Sequence, residues 1–235
     1  MRAAIMQPYF FPYLGYFALI KHSDTFILFD TVQFIRHGWI ERNRMLKENE
    51  GWLYVSVPLE KHERNTKICD TRIRQSENWK QKMLAQIQHY KKKAPHYRNV
   101  IDFLHHAFKF ESTSMVKLNQ HLLAETCGYL GLSFDGPVFS EMNVQIDEAH
   151  AADEWALNIC KSIGANAYIN PIGGTDFFDK AKYTASGIDL AFQKINLRNY
   201  SQGRTSFEAG LSILDVMMFN SPAEILQMLD EVEYL

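Results

Sequence analysis

Short apolar blocks alternate with helically spaced apolar positions along this 235-residue chain. Arg2-Ala-Ala-Ile-Met6 is an apolar run closed at once by Gln7 and Pro8, the pattern of a buried strand. Pro8 and Pro12 bar a regular helix through the turn that follows, and Gly15 permits close backbone approach. Leu14, Phe17, Ala18 and Ile20 then recur at helical spacing up to His22. Residues 25–29 form a second strand-like run and 52–57, stopped by Pro58, a third. The connection 30–51 is long and rich in polar side chains, which predicts a binding loop. Residues 60–65 read as a solvated loop and 68–73 as a short edge strand.

Further on, Trp79, Met83, Ile87 and Tyr90 define one face of a helix, with Lys91, Lys92 and Lys93 placed to complement its dipole. Helices are predicted over 97–108 and 114–130. After Gly136-Pro137 the pattern predicts a strand at 138–142, a helix at 147–163, a strand at 167–169, a helix at 176–184, a strand at 188–193 and a helix at 210–220. A short terminal segment follows from Ala223. This order predicts an α/β fold, a mainly parallel Rossmann-like open sheet with a helical central segment. Residues 1–76 and 132–235 read as the α/β domain and 77–131 as a helical insert or cap.

Composition adds limits. With 46% hydrophobic and 22% charged residues the chain reads as an ordinary globular protein. A net charge of −2 argues against general nucleic-acid binding, which needs a clustered cationic surface. Cys69, Cys127 and Cys160 are widely spaced and odd in number, which indicates no disulfide framework or zinc knuckle and fits a reducing cytoplasm. The N-terminal apolar run is too short for a signal peptide, and no run of about 18 apolar residues predicts a membrane span. No His-Glu-x-x-His spacing, Walker loop or Gly-x-Gly-x-x-Gly occurs, so no metal is expected and no cofactor is named.

Polar and cationic groups are delivered twice just after a predicted strand, where open α/β sheets bind ligands. The first group is Gln7, Tyr9, Tyr13 and Tyr16, suited to a sugar, nucleobase or small amide, while Phe10, Phe11 and Phe17 read as core. The second is Asp30, Gln33, Arg36, His37, Trp39, Arg42, Asn43 and Arg44. Its arginines suit phosphate or carboxylate. Asp30 is a candidate for binding an ammonium, taking an amine proton or carrying magnesium. His37, of a residue type that titrates near neutral pH, is a candidate acid or base. The plainer reading of this group is a solvated loop in which Asp30 pairs with Arg36 or Arg42. The third is Gly173, Gly174 and Thr175 with Asn170 and Asp176, either a backbone anion cradle or a helix cap. The fourth is Gln202 and Arg204 with Tyr200 and Ser206, where Arg204 reaches a phosphate or pairs with Glu208. Cys160, on an apolar helix face, reads as core.

The run Gln7-Pro-Tyr-Phe-Phe-Pro-Tyr-Leu-Gly-Tyr16, with Asp24-x-Phe, Asp30-x-Val-Gln-Phe34, Trp39 and Arg42-Asn-Arg44, resembles the WbqC-like family, as do Tyr200-Ser-Gln202, Phe207, Leu211-Ser-Ile-Leu-Asp215 and Asn220. Position 41 departs from the pattern as Glu41. The family's association with bacterial surface polysaccharide and O-antigen gene clusters implies a transferase that places an acyl or aminoacyl group on a nucleotide-linked amino sugar. ATP stays open as a co-substrate and the oligomeric state is unassigned. Asp30 or His37 would then take the amine proton and the arginines would hold phosphates. A non-catalytic module binding a nucleotide sugar or a partner enzyme is the alternative. More remotely, Pro8-x-x-x-Pro12-x-x-Gly15-Tyr16 resembles the HIGH-motif turn of nucleotidyltransferases, with Tyr13 and Tyr16 near the places of its histidines.

Overall fold

A computed structural model describes residues 1–235. Strand β1 (Arg2–Met6) lies inside a five-stranded sheet, paired in parallel with β2 (Thr25–Leu28) on one side and β5 (Ala167–Pro171) on the other. Beyond β5 come β6 (Asp189–Ile195), also parallel, and β7 (Val232–Tyr234), antiparallel at the edge. The order β2-β1-β5-β6-β7 confirms the α/β reading and its mainly parallel Rossmann-like sheet. From β1 the chain crosses through α1 (Leu14–Lys21) to β2, then returns much later to the opposite side of β1 as β5. The carboxyl ends of β1 and β5 therefore diverge at a topological switch point.

Strand alternation decides which residues meet which helices. Ala3, Ile5, Ile27, Tyr168 and Leu190 face α5 (Glu154–Ser162) and Tyr183 of α6 (Lys180–Ala185). Ala4, Phe26, Leu28 and Ile169 face a larger core. That core also takes in α1, α2 (Trp79–Gln86), α3 (Tyr97–Ala107), α4 (Met115–Leu130), α7 (Ile213–Phe219) and α8 (Pro222–Leu229). Cys160 of α5 is fully buried on the opposite face, as expected, and burial pushes its thiol up to about 12. No helix is long and apolar enough to cross a membrane.

Several expectations are corrected. Residues 52–57 do not join the sheet: β4 (Trp52–Ser56) pairs antiparallel with β3 (Arg42–Leu46), a strand inside the stretch expected to be loop. β3 escapes the apolar-alternation test because its inward side chain, Asn43, is polar and is buried by hydrogen bonding. Residues 68–73 and 138–142 hold single helical turns, Ile68–Asp70 and Phe139–Glu141, where strands were expected. The second turn is anchored by Asp30, which binds Ser140. The helix over 79–90 stops at Gln86 and tightens into a turn at Gln88–Lys92. The helices expected from 147 and 176 begin only at Glu154 and Lys180. α8 and β7 were not expected. The start of α8 is written in Ser221-Pro222-x-Glu224, a capping box with proline at the first turn.

Candidate active site at the switch point

The turn after β1 is held from every side. Tyr16 donates its hydroxyl to the Gln7 carbonyl (2.8 Å). Asn119, fully buried in α4, donates Nδ2 to the carbonyls of Pro8 (2.7 Å) and Ile40 (2.8 Å). Asn43 donates Nδ2 to those of Phe10 (3.0 Å) and Phe11 (2.9 Å), and Ser212 donates Oγ to that of Phe11 (2.8 Å). The Ile213 amide meets the Pro12 carbonyl (2.8 Å). Phe11 adopts φ +39°, a region that costs a non-glycine residue energy and persists only where surroundings over-determine it. These donors supply that determination. Phe10, Phe11 and Phe17 are core, as expected.

With the turn fixed, Tyr9 and Tyr13 line a cleft of about 370 Å³ whose floor includes Met6 at the end of β1 and Pro171 at the end of β5. Pro12, Trp39, Asn43, Arg44, Leu197 and Gly210 complete the wall. The volume suits a small ligand. Burial raises both tyrosine hydroxyls above their ordinary value, with Tyr13 adding to the effect on Tyr9. They stay protonated at neutral pH and are available to donate hydrogen bonds to a ligand. Gly15 is what lets the Tyr13 ring sit here, since a Cβ at position 15 would lie 2.5 Å from its Cζ and hydroxyl.

Arg44 is the cation of this cleft. Its guanidinium lies 5.6 Å from the Trp39 ring centre and 5.3 Å from that of Trp52, and NH2 donates to the Gly210 carbonyl (2.9 Å). Nε is buried without a partner, and no carboxylate pairs with the side chain. An arginine held by aromatic faces, with donors unspent, is prepared for an anionic ligand.

The other expected residues are distributed differently. Tyr16 is buried in the core and acts on the turn through Gln7. Asp30 is 1% exposed, with Oδ1 taking the Ser140 amide (3.0 Å) and Oδ2 its hydroxyl (2.6 Å), and it is absent from the cleft lining. Gln33 pins the Arg64 carbonyl. Arg36, His37 and Arg42 line a separate groove. Gly173, Gly174 and Thr175 form no cradle at a helix N-terminus: they lie in a tight turn after β5, and α6 begins only at Lys180 with Asp179 as its cap. Gly174 instead accommodates Asn170, whose Nδ2 would lie 1.9 Å from a Cβ there. Gln202 is buried and binds both the amide and the carbonyl of Glu208. Arg204 donates to the Gly51 and Ser206 carbonyls and lies 3.6 Å from Glu208.

A family model for the WbqC-like protein family matches residues 7–227. The chain belongs to the WbqC-like protein family. The matched span includes every element that builds the cleft from Gln7 onward. The WbqC-like chain is also 29% identical over 226 residues, 95% of each chain, to the uncharacterized protein Rv1507c of Mycobacterium tuberculosis. No solved structure matches.

Two structurally central residues carry no candidate role from spacing. Asn119 is a polar residue on the buried face of α4 and Asp215 the one polar residue of α7, and that oddity is the signal that points to them. Asp215 takes hydrogen bonds from Tyr90, Tyr200 and Gln202 behind the cleft wall, and burial raises its pKa to about 6.

Proposed function

We propose that this WbqC-like chain binds a nucleotide-linked amino sugar at the switch point and transfers an acyl or aminoacyl group to its amine, in surface polysaccharide synthesis. The observation that carries the reading is Arg44, an unpaired guanidinium between two tryptophan faces in a cleft that also presents two protonated tyrosines. A sugar ring suits the aromatic walls, hydroxyl or carbonyl groups suit Tyr9 and Tyr13, and a phosphate suits Arg44. In the transfer the sugar nitrogen attacks the acyl carbon, the leaving group departs with its electron pair, and the nitrogen releases a proton. Solvent in the cleft is the proposed proton acceptor, since Asp30 is engaged with Ser140 and His37 lines the separate groove.

That engagement of Asp30 favours a second reading, a module that binds the nucleotide sugar without turning it over. The HIGH-type nucleotidyltransferase reading has less support, because Tyr16 spends its hydroxyl on the Gln7 carbonyl. Incubation with nucleotide-linked amino sugars and acyl donors, with and without ATP, read by mass spectrometry, separates the readings. An acylated product that is reduced in Arg44→Ala supports the transferase. Binding without product supports the module. Neither product nor binding overturns both.

A further inference from the structure

A second cavity, of about 690 Å³, opens between the loop at 34–42, β4 and the segment 57–62, and shares no lining residue with the switch-point cleft. Its charged lining is Arg36, Arg42, Lys61 and Arg74 against Glu41 and Glu60, with His37 and His62 beside them. Arg74 is committed to Glu77 at 2.6 Å. Arg36, Arg42 and Lys61 meet no carboxylate within ion-pairing distance, so cationic charge remains uncompensated in a concave surface.

The groove is also built to hold these cations in place. The Arg42 guanidinium lies 3.8 Å from the Tyr54 ring centre and donates to the His37 and Gly38 carbonyls. Arg36 donates Nε to His62 Nε2 (3.2 Å) and NH2 to the His62 carbonyl (3.1 Å), while the His62 ring stands edge-on to Phe34 at 5.0 Å. Neutral acceptors orient both guanidiniums and leave their charge to a ligand. Glu41 adds a second feature. Its Oε1 accepts the His37 amide (2.9 Å), which fixes the backbone beside Arg36, while Oε2 is turned into the protein and buried, away from the open face where the cations lie.

We propose that this groove is a second binding site, taking a phosphate-bearing small molecule distinct from whatever occupies the cleft. One residue, Asn43, separates Arg42 in the groove from Arg44 in the cleft, a step of roughly 7 Å along a strand. Ligands in the two sites would therefore be neighbours. The assignment goes beyond the transferase reading and stands without it, because it rests on the groove's own residues.

Isothermal titration of the full chain at low ionic strength, with inorganic pyrophosphate and with ATP as probes, tests it. Arg36 and Lys61 are exposed, so Arg36→Ala/Lys61→Ala keeps the fold, which thermal melts verify. The double variant is expected to weaken pyrophosphate by about 10-fold or more, and Arg44→Ala by less than about 2-fold. ATP binding tighter than pyrophosphate assigns the groove to nucleotides, and equal affinity assigns it to phosphate groups in general. No heat with either probe, or equal losses in the Arg44→Ala and double variants, overturns the proposal. Failure of nucleotide sugars to bind the cleft, with pyrophosphate binding intact, leaves this site standing and removes only the transferase reading.

Discussion

The Tyr90 hydroxyl donates to Oδ1 of Asp215 at 2.5 Å across 125 residues of chain. Tyr200 holds Oδ2 at 2.6 Å, and the Tyr90 hydroxyl accepts the Leu46 amide at 2.8 Å. One buried carboxylate thus joins the helical segment, the β3–β4 ribbon, the 200–208 loop and α7. Burial outweighs these hydrogen bonds and raises Asp215 to about 6. Its folded pKa therefore exceeds the unfolded value near 4, so between about pH 4 and pH 6 the native chain keeps a proton the unfolded chain has released. Stability from this group falls as pH rises through that window, by on the order of 3 kcal/mol, and is flat above it. Urea unfolding across the window should show this slope as a difference between wild type and Asp215→Asn. Parallel curves would remove Asp215 as its source.

Asn43→Ala strips the Asn43 donor from the Phe10 carbonyl and leaves the Phe11 carbonyl with Ser212 alone, both still buried. The expected cost is about 2–4 kcal/mol, a fall in Tm of roughly 5–15 °C, read by calorimetry. A drop within about 1 °C would mean that Ser212 and the Ile213 amide suffice to hold the turn.

Gly15→Ala separates stability from binding. A helix gains roughly 0.5–1 kcal/mol from the exchange, whereas the new methyl displaces the end of the Tyr13 side chain. The variant should melt at or above the wild-type temperature and bind nucleotide-linked sugars about 5-fold more weakly, one neutral hydrogen bond's worth. Unchanged affinity would take Tyr13 out of the site.

Arg44→Lys keeps the charge but loses the planar fork that meets Trp39, Trp52 and the Gly210 carbonyl together. Affinity for a nucleotide-linked sugar should fall on the order of 10-fold, close to the loss in Arg44→Ala. Full retention in the lysine variant would reduce the role of Arg44 to a point charge.

Much of the fold was legible because its signal is local. β1, β2, β5 and β6 are short apolar runs ended by turn residues, and α3 and α4 carry helical periodicity, so the parallel sheet follows from reading order. β3 was not legible, since Arg42-Asn43-Arg44 buries an amide in place of an apolar side chain. The turns at 68–70 and 139–141 look like strands in sequence and are held out of the sheet by hydrogen bonds from distant residues, such as the Asp30 to Ser140 pair.

For the site, the sequence by itself determined that Gln7–Tyr16 and the polar run to Arg44 follow strand ends, and that these residues resemble one family. Only the tertiary structure divided that run. Asp30 and Tyr16 were drawn into buried hydrogen bonds, while Tyr9, Tyr13, Trp39, Asn43 and Arg44 met at the switch point and Arg36, His37 and Arg42 lined another groove. The reason is physical: residue type states what a polar group can bind, but whether a distant chain segment arrives to satisfy it is settled by how the helices and the sheet pack.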